Sequence, residues 1–492
     1  MAIDEHDDAR PGRVPGDRVA AEAATARRRA YTLAIVVTAQ FLIVLDASVV
    51  NIALPSAQAD LGLADSRKQW VVTGYSLAFG GLLLLGGRVA DVRGRQKTFV
   101  AGLIGFTLAS VLGGLAVNEA MLLAARAAQG ASAAFLAPAG LAILTTAYTD
   151  GAGRAKAFAI FGVTSGAGGI LGMVLGGVLT SFGSWRWCLL INLPVGLVIL
   201  VLALRHLEES TAARPTRYDL PGAVTATAGV GSFIYGVSNV AADGWFAPTT
   251  LAFILGGVAL LTLFVALQRR SSEPMMPLGI LAHRTRGGAF LIILLVNAVA
   301  STFYLLLTFY LQGVQDLSAL LTGLAFVPIG VGIFVGAVAA GRLLPVWPAR
   351  NVIAVGLALA VCGMAPMAWL RADSSFWSLI LPAQVVLGVG FGIALTAIVS
   401  LALQGVAPAT AGVASALTNA VREIGGAVGI SVLNVVAIAV TAASIDPNPA
   451  EASADGYAAA FAVCAGLLAA ALAVAVTSLR PEPATPGGRG AT

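Results

Sequence analysis

Four charged residues stand inside long apolar runs: Asp46, Arg126, Arg422 and Glu423. A carboxyl group in apolar surroundings favours its neutral form, and a guanidinium beside it favours the ionised one. A buried Asp or Glu near an Arg is therefore a group that can take up and release a proton. Gln129 follows Arg126 by three residues, and Asn419 precedes Glu423 by four, so each pair shares a helix face. Asn51 adds a further amide five residues after Asp46. These residue types suit proton exchange and hydrogen bonding rather than bond-breaking catalysis.

Other chemistries are not visible in the chain. A phosphate-binding loop needs Gly-Lys followed by Ser or Thr, and none of the three lysines, Lys68, Lys97 and Lys156, follows a glycine. His6, His206 and His283 sit apart in polar segments. Cys188, Cys362 and Cys464 lie in separate apolar runs, without the spacing of a zinc site or a disulfide. Neither a metal nor a cofactor is expected, and the chain reads as a non-enzyme.

The elements that must hold these four charges are read from composition. The 492 residues are 58% hydrophobic and 11% charged, with 57 glycines and a mean hydropathy of +0.88. Soluble domains carry about 25% charge. So few charges exclude a soluble enzyme, a disordered chain and a nucleic-acid binder, and they point to a polytopic helical membrane protein. Backbone groups in lipid must be satisfied within the segment, so the apolar runs are helices. They are placed at about 32–55, 69–88, 98–117, 120–144, 157–180, 186–204, 219–239, 249–268, 288–311, 319–341, 351–370, 376–403, 411–441 and 457–478, each near the roughly 20 residues a span requires.

Loop charge sets the orientation. With the N-terminus inside, the inner tails and loops hold 23 of the 29 Lys and Arg, and the outer loops hold Arg67, Lys68, Arg186 and Arg371. Fourteen spans with both ends cytoplasmic are expected. On this layout Asp46 and Arg126 both fall in the outer half of the bilayer, about 14 Å and 9 Å from its surface at 1.5 Å per residue. A lone Arg there costs about 2.5 kcal/mol or more on insertion scales. An ion pair or water-bridged couple between the two is therefore expected. Residues 1–30 read as a disordered cytoplasmic tail. Gly87-Arg88-Val89 and Gly341-Arg342-Leu343 follow the second helix of each six-helix block, a faint internal repeat of the kind secondary transporters use.

The motifs carry a family resemblance. Gly87-Arg-Val-Ala-Asp91-Val-Arg-Gly94-Arg95-Gln-Lys97 resembles the loop 2–3 signature of the major facilitator superfamily. Leu45-Asp46-Ala-Ser-Val-Val-Asn51-Ile-Ala-Leu54-Pro55 and the run Trp185 to Gly196, with Asn192 and Pro194, resemble signatures of its fourteen-helix drug/proton antiporters. Arg126-Ala-Ala-Gln129-Gly130 resembles the family's proton-coupling R-x-x-Q-G. Two departures stand out. Glu423 replaces the usual Gln of R-Q-I-G-G, and Gly172-Met173-Val-Leu-Gly176-Gly177 lacks the proline of G-P-x-x-G-G. Gly168, Gly172 and Gly176 form one stripe that lets helices approach closely.

The resemblance implies an all-α membrane protein of the major facilitator fold, with 14 transmembrane helices as 6+2+6. Its parts are a six-helix half over 31–207, two inserted helices over 208–286, a second half over 287–480 and a tail over 481–492. It implies a monomeric transporter in the cell membrane that exports amphipathic drugs or antibiotics in exchange for protons. Asp46, Arg126 and Glu423 are the expected proton-coupling residues. Gly87, Asp91, Gly94 and Arg95 form the gating loop, with the N-terminus of the thirteenth helix as a possible partner of Asp91. Asn51, Gln129, Tyr304, Tyr310 and Asn419 are expected to line the substrate cavity. A dedicated exporter or importer of one metabolite on the same fold, and a transport-inactive membrane sensor, remain open as alternatives.

Overall fold

The structure, a computed structural model, describes residues 15–65, 67–148, 151–211, 219–271, 284–403 and 411–479. The described residues form helices and no strand. In chain order these are α1 Pro15–Leu61, α2 Trp70–Arg93, α3 Arg95–Gly114, α4 Glu119–Ala147, α5 Gly151–Phe182 and α6 Trp187–His206. There follow α7 Leu220–Asp243, α8 Pro248–Arg270, α9 Arg284–Val314, α10 Ala319–Leu343, α11 Ala349–Trp369, α12 Phe376–Ala402, α13 Ala411–Ala443 and α14 Pro449–Ser478. Eleven helices among the described residues are long and apolar enough to cross a membrane, or twelve if the bent α2 counts as one span.

α1 starts at Pro15, inside the stretch expected to be an unstructured tail. Residues 19–30 explain the difference. They are mostly Ala, Glu and Arg, which are strong helix formers, and Pro15 supplies a backbone angle suited to a first turn. Other starts are capped by side chains. Asn118 accepts from the Met121 amide at 2.9 Å, Asp219 from Gly222 at 2.8 Å and Ser318 from Leu321 at 3.3 Å.

Glycines set the closest packing. A Cβ on Gly130 of α4 would lie 2.2 Å from the Tyr75 carbonyl of α2, and one on Gly86 would lie 1.9 Å from the Ala134 carbonyl. The α2–α4 contact thus allows no side chain at those points, and it draws Arg126 against α2. The Gly168–Gly172–Gly176 stripe packs α5 on α1, meeting Val44, Leu45, Ser48 and Val49. Gly323 of α10 meets the backbone of Met173 on α5, so the residue at the missing proline sits on a contact between the two helix groups.

Most of the buried core of α9–α14 forms one cluster and that of α1–α4 another, while a third joins Leu45, Val49 and Leu54 to Leu305, Phe309 and Ile430 across the two groups. The groups meet along α2–α13 and α5–α10. At the end that loop charge assigns to the outside, Gln312 donates to the Ile52 carbonyl at 3.0 Å. There Lys68 sits 3.8 Å over the Phe309 ring, and Asn434 hydrogen-bonds Gln69. α7 lies along the α2–α13 seam, with Thr227 donating to the Gly81 carbonyl at 2.9 Å and Val230 and Ile234 packed with Ala427.

Candidate functional site

Asp46, Arg126 and Gln129 come together within α1–α6, all at 1% exposure or less. Arg126 Nη1 donates to Asp46 Oδ2 at 2.6 Å and to Gln129 Oε1 at 2.6 Å. Gln129 Nε2 donates to Asp46 Oδ1 at 2.7 Å. The Arg126 guanidinium also donates through Nε to the Val71 carbonyl at 3.0 Å, and it lies 4.4 Å above the Tyr75 ring. The couple expected from residue counting is thus a direct ion pair, without an intervening water.

Two further side chains complete the network. Asn192 Nδ2 donates to Asp46 Oδ1 at 2.6 Å and to Ser110 Oγ at 2.7 Å. Ser110 also accepts from Gln129 Nε2 at 3.0 Å and donates to the Leu189 carbonyl at 2.9 Å. Both residues are fully buried. Local folding positions them: α6 breaks at Ile191, and Asn192 opens the segment running to His206. In sequence, Asn192 stands within the Trp185–Gly196 motif with nothing to mark its role, and Ser110 is a single Ser in an apolar helix, which carries no pattern.

Asp46 therefore has three donor groups, from Arg126, Gln129 and Asn192. An ionised carboxylate accepts them all; a protonated one must itself donate. Asn192 Oδ1 is buried without a hydrogen-bond partner, an acceptor close to the carboxylate. A small recess of about 10 Å³ lies alongside, lined by Val50, Leu54, Val71, Cys188 and other apolar side chains, with Arg126 the one charged group on its wall.

Glu423 lies apart from this cluster, partly buried on α13. It faces α2, where a Cβ on Gly80 would lie 2.8 Å from its own and Ser76 stands one turn away on the same face. Arg422 turns to α9, with Nε 3.4 Å from Asn297 Oδ1. Asn419 is partly buried one turn earlier.

The expected cavity residues do not converge. Asn51 donates to the Ala47 carbonyl at 3.2 Å. Tyr304 stacks edge-on with Phe326 at 5.7 Å. Tyr310 is fully buried, its hydroxyl donating to the Arg371 carbonyl at 2.6 Å and accepting from Gln315 at 2.9 Å. It ties the end of α9 to a loop.

The gating loop is a tight junction of α2 and α3. Gly94 has φ +110°, a conformation that favours glycine, and a Cβ there would meet the Glu209 carboxylate at 2.5 Å. Glu209 accepts from the Gln96 and Lys97 amides at 3.1 and 3.2 Å, capping α3 from the segment after α6. Asp91 pairs with Arg95 at 3.1 Å. Gly87 lies near Pro138. Residues 404–410, which lead to the helix end considered as a partner of Asp91, lie outside the described residues.

Residues 36–430 match the family model described as Major Facilitator Superfamily. The chain is 43% identical over 468 residues to the puromycin resistance protein pur8 of Streptomyces alboniger, covering 93% of each chain. It is 41% identical over 434 residues to the cephamycin export protein CmcT of Amycolatopsis lactamdurans, covering 87% of this chain and 88% of that one. Among solved structures, a bacterial homologue of the human lysosomal transporter Spinster, inward-facing and unoccupied, superposes with a TM-score of 0.65 at 18% identity over 92% of this chain and 97% of its own, a likeness of fold. The chain belongs to the Major Facilitator Superfamily, as a membrane transporter and not an enzyme.

Proposed function

We propose that this protein is a proton-coupled exporter of amphipathic, antibiotic-like small molecules. The observation that carries the reading is the sealed Asp46–Arg126–Gln129–Asn192–Ser110 network. Charge this deep in a membrane protein is costly and marks ion or proton pathways. Protonation of Asp46 removes the charge that holds Arg126, and rotation of the Asn192 amide offers Oδ1 to the new O–H. Deprotonation restores the triple-donor arrangement. The network thus has two arrangements set by one proton, and alternating access couples them to substrate release outside and capture inside. Glu423, at the seam between the helix groups, is the second proton-carrying group.

The proposed topology is fourteen spans with both termini cytoplasmic, in a bacterial cytoplasmic membrane. Its support is the loop-charge asymmetry, together with α5 and α7, which at 32 and 24 residues have the length to join the apolar spans. The halves are 31–207 and 287–480, with the pair over 208–286 inserted, and the unit of function is one chain. The relatives' names favour dedicated export of one antibiotic class over broad efflux.

A pump-deleted bacterial host expressing the chain tests the reading. Resistance is measured to puromycin, a cephamycin, lincomycin and ethidium, with and without an uncoupler. Raised resistance that the uncoupler abolishes supports proton-coupled export. Wild-type sensitivity to the whole panel, at verified expression, contradicts it.

A further inference from the structure

α2 and α13 run antiparallel, and their contact has a fixed register. Gln69 pairs with Asn434 at one end, and Gly80 meets Glu423 eleven residues further in. Between these anchors stand Thr73, one turn after Gln69, and Ser431, one turn before Asn434, so both hydroxyls belong to the same facing stripes. All four of these polar side chains are at 3% exposure or less. Three of their polar atoms have no hydrogen-bond partner: Gln69 Nε2, Thr73 Oγ1 and Ser431 Oγ. A row of buried, unpartnered polar atoms is costly in a dry helix contact, and its atoms suit small polar occupants such as water. The row ends at Glu423, which packs against Gly80 with Ser76 one turn before it on the same stripe of α2.

We infer that the α2–α13 seam is the route by which Glu423 exchanges its proton with the outer side, closed here by the Gln69–Asn434 pair and hydrated along Thr73 and Ser431 when the halves part. The inference rests on the reading of Glu423 as a proton-carrying group. The step is a proton transfer: hydronium entering the opened seam gives its proton to the Glu423 carboxylate, leaving water and a neutral acid. The charged or titratable neighbours of Glu423 are Arg422 on its own helix and Tyr75 on α2. α7 between 221 and 242, α9 between 287 and 315 and α14 between 456 and 479 bring no charged side chain to it.

The test uses the full chain in proteoliposomes, with puromycin and ethidium as probes and the pH on the outer side varied. Thr73→Val with Ser431→Ala removes both hydroxyls at nearly constant volume. Transport at neutral outer pH falls by about threefold to tenfold as proton supply becomes limiting. It recovers when the outer pH drops by about one unit, because tenfold more hydronium offsets a tenfold slower route. Thr73→Ser with Ser431→Thr keeps both hydroxyls and retains the wild-type profile. An unchanged pH profile in the Val/Ala variant, or an equal loss at every pH, overturns the route. Glu423→Gln separates the two claims. If it keeps the wild-type pH dependence, Glu423 carries no proton and the underlying reading fails. If it loses that dependence while the Val/Ala variant does not, the route alone fails.

Discussion

Arg126 and Asp46 meet at 2.6 Å, their side chains 1% and 0% exposed, on helices 80 residues apart in sequence. A pair so deeply buried adds little net stability, because desolvation cancels much of the attraction, but losing one member leaves an uncompensated charge. Arg126→Met is therefore expected to destabilise the protein by about 3–5 kcal/mol. Adding Asp46→Asn removes the stranded charge and recovers much of that loss. Thermal unfolding of the two singles and the double in detergent closes the cycle; additive losses contradict the pairing.

The glycine stripe of α5 offers a matched comparison. A Cβ at Gly176 would lie 2.9 Å from the Val49 carbonyl, whereas Gly162 has nothing within 4 Å. Gly176→Ala is expected to cost about 1–3 kcal/mol through overpacking. Gly162→Ala is expected to be neutral, or stabilising by about 0.5–1 kcal/mol. Melting curves of both variants check the order.

Glu209 caps α3 through two amides. Glu209→Ala is expected to weaken that helix start by about 0.5–2 kcal/mol, leaving the membrane core intact. Hydrogen exchange should rise at residues 95–98 and stay unchanged in α4. Uniform exchange across both helices contradicts the cap.

At the end of the bundle that we propose faces outward, Lys68 lies 3.8 Å over the Phe309 ring and joins the two helix groups. Lys68→Met is expected to shift the balance toward outward opening by about 0.5–2 kcal/mol. External maleimide labelling of a cysteine introduced at Asn51 reads this as faster modification. Asp65 anchors the lysine at 2.9 Å. Burial raises the Asp65 pKa, but the Lys68 and Gln58 hydrogen bonds outweigh it and hold the group below its usual 3.8. A depressed folded-state pKa contributes stability that is complete above the ordinary aspartate value and is lost as pH falls through the depressed one. The Asp65–Lys68 pair should therefore keep its full contribution from neutral pH down to the ordinary value of 3.8, as thermal unfolding across that range would show.

Much of this was legible in the chain. Apolar runs gave the helices, and the scarcity of charge singled out Asp46, Arg126 and Glu423 before any geometry. Gly168, Gly172 and Gly176 were readable as a packing stripe because i, i+4 spacing is a property of sequence. Ser110 and the role of Asn192 were not, because their partners lie on other helices and a single small polar residue has no periodicity. Tyr310 illustrates the converse. An aromatic with a hydroxyl in a membrane helix looks like a cavity wall, yet its hydroxyl is taken by the Arg371 carbonyl, a loop contact that no local pattern encodes.

The central claim, that export requires the proton carried by Asp46, is tested most directly by Asp46→Asn in proteoliposomes. Asparagine keeps the size of the side chain and cannot ionise. The account predicts that an imposed proton gradient drives puromycin uphill in the wild type and not in the variant, which still exchanges substrate down its own gradient. Gradient-driven accumulation by Asp46→Asn at the wild-type rate would contradict it.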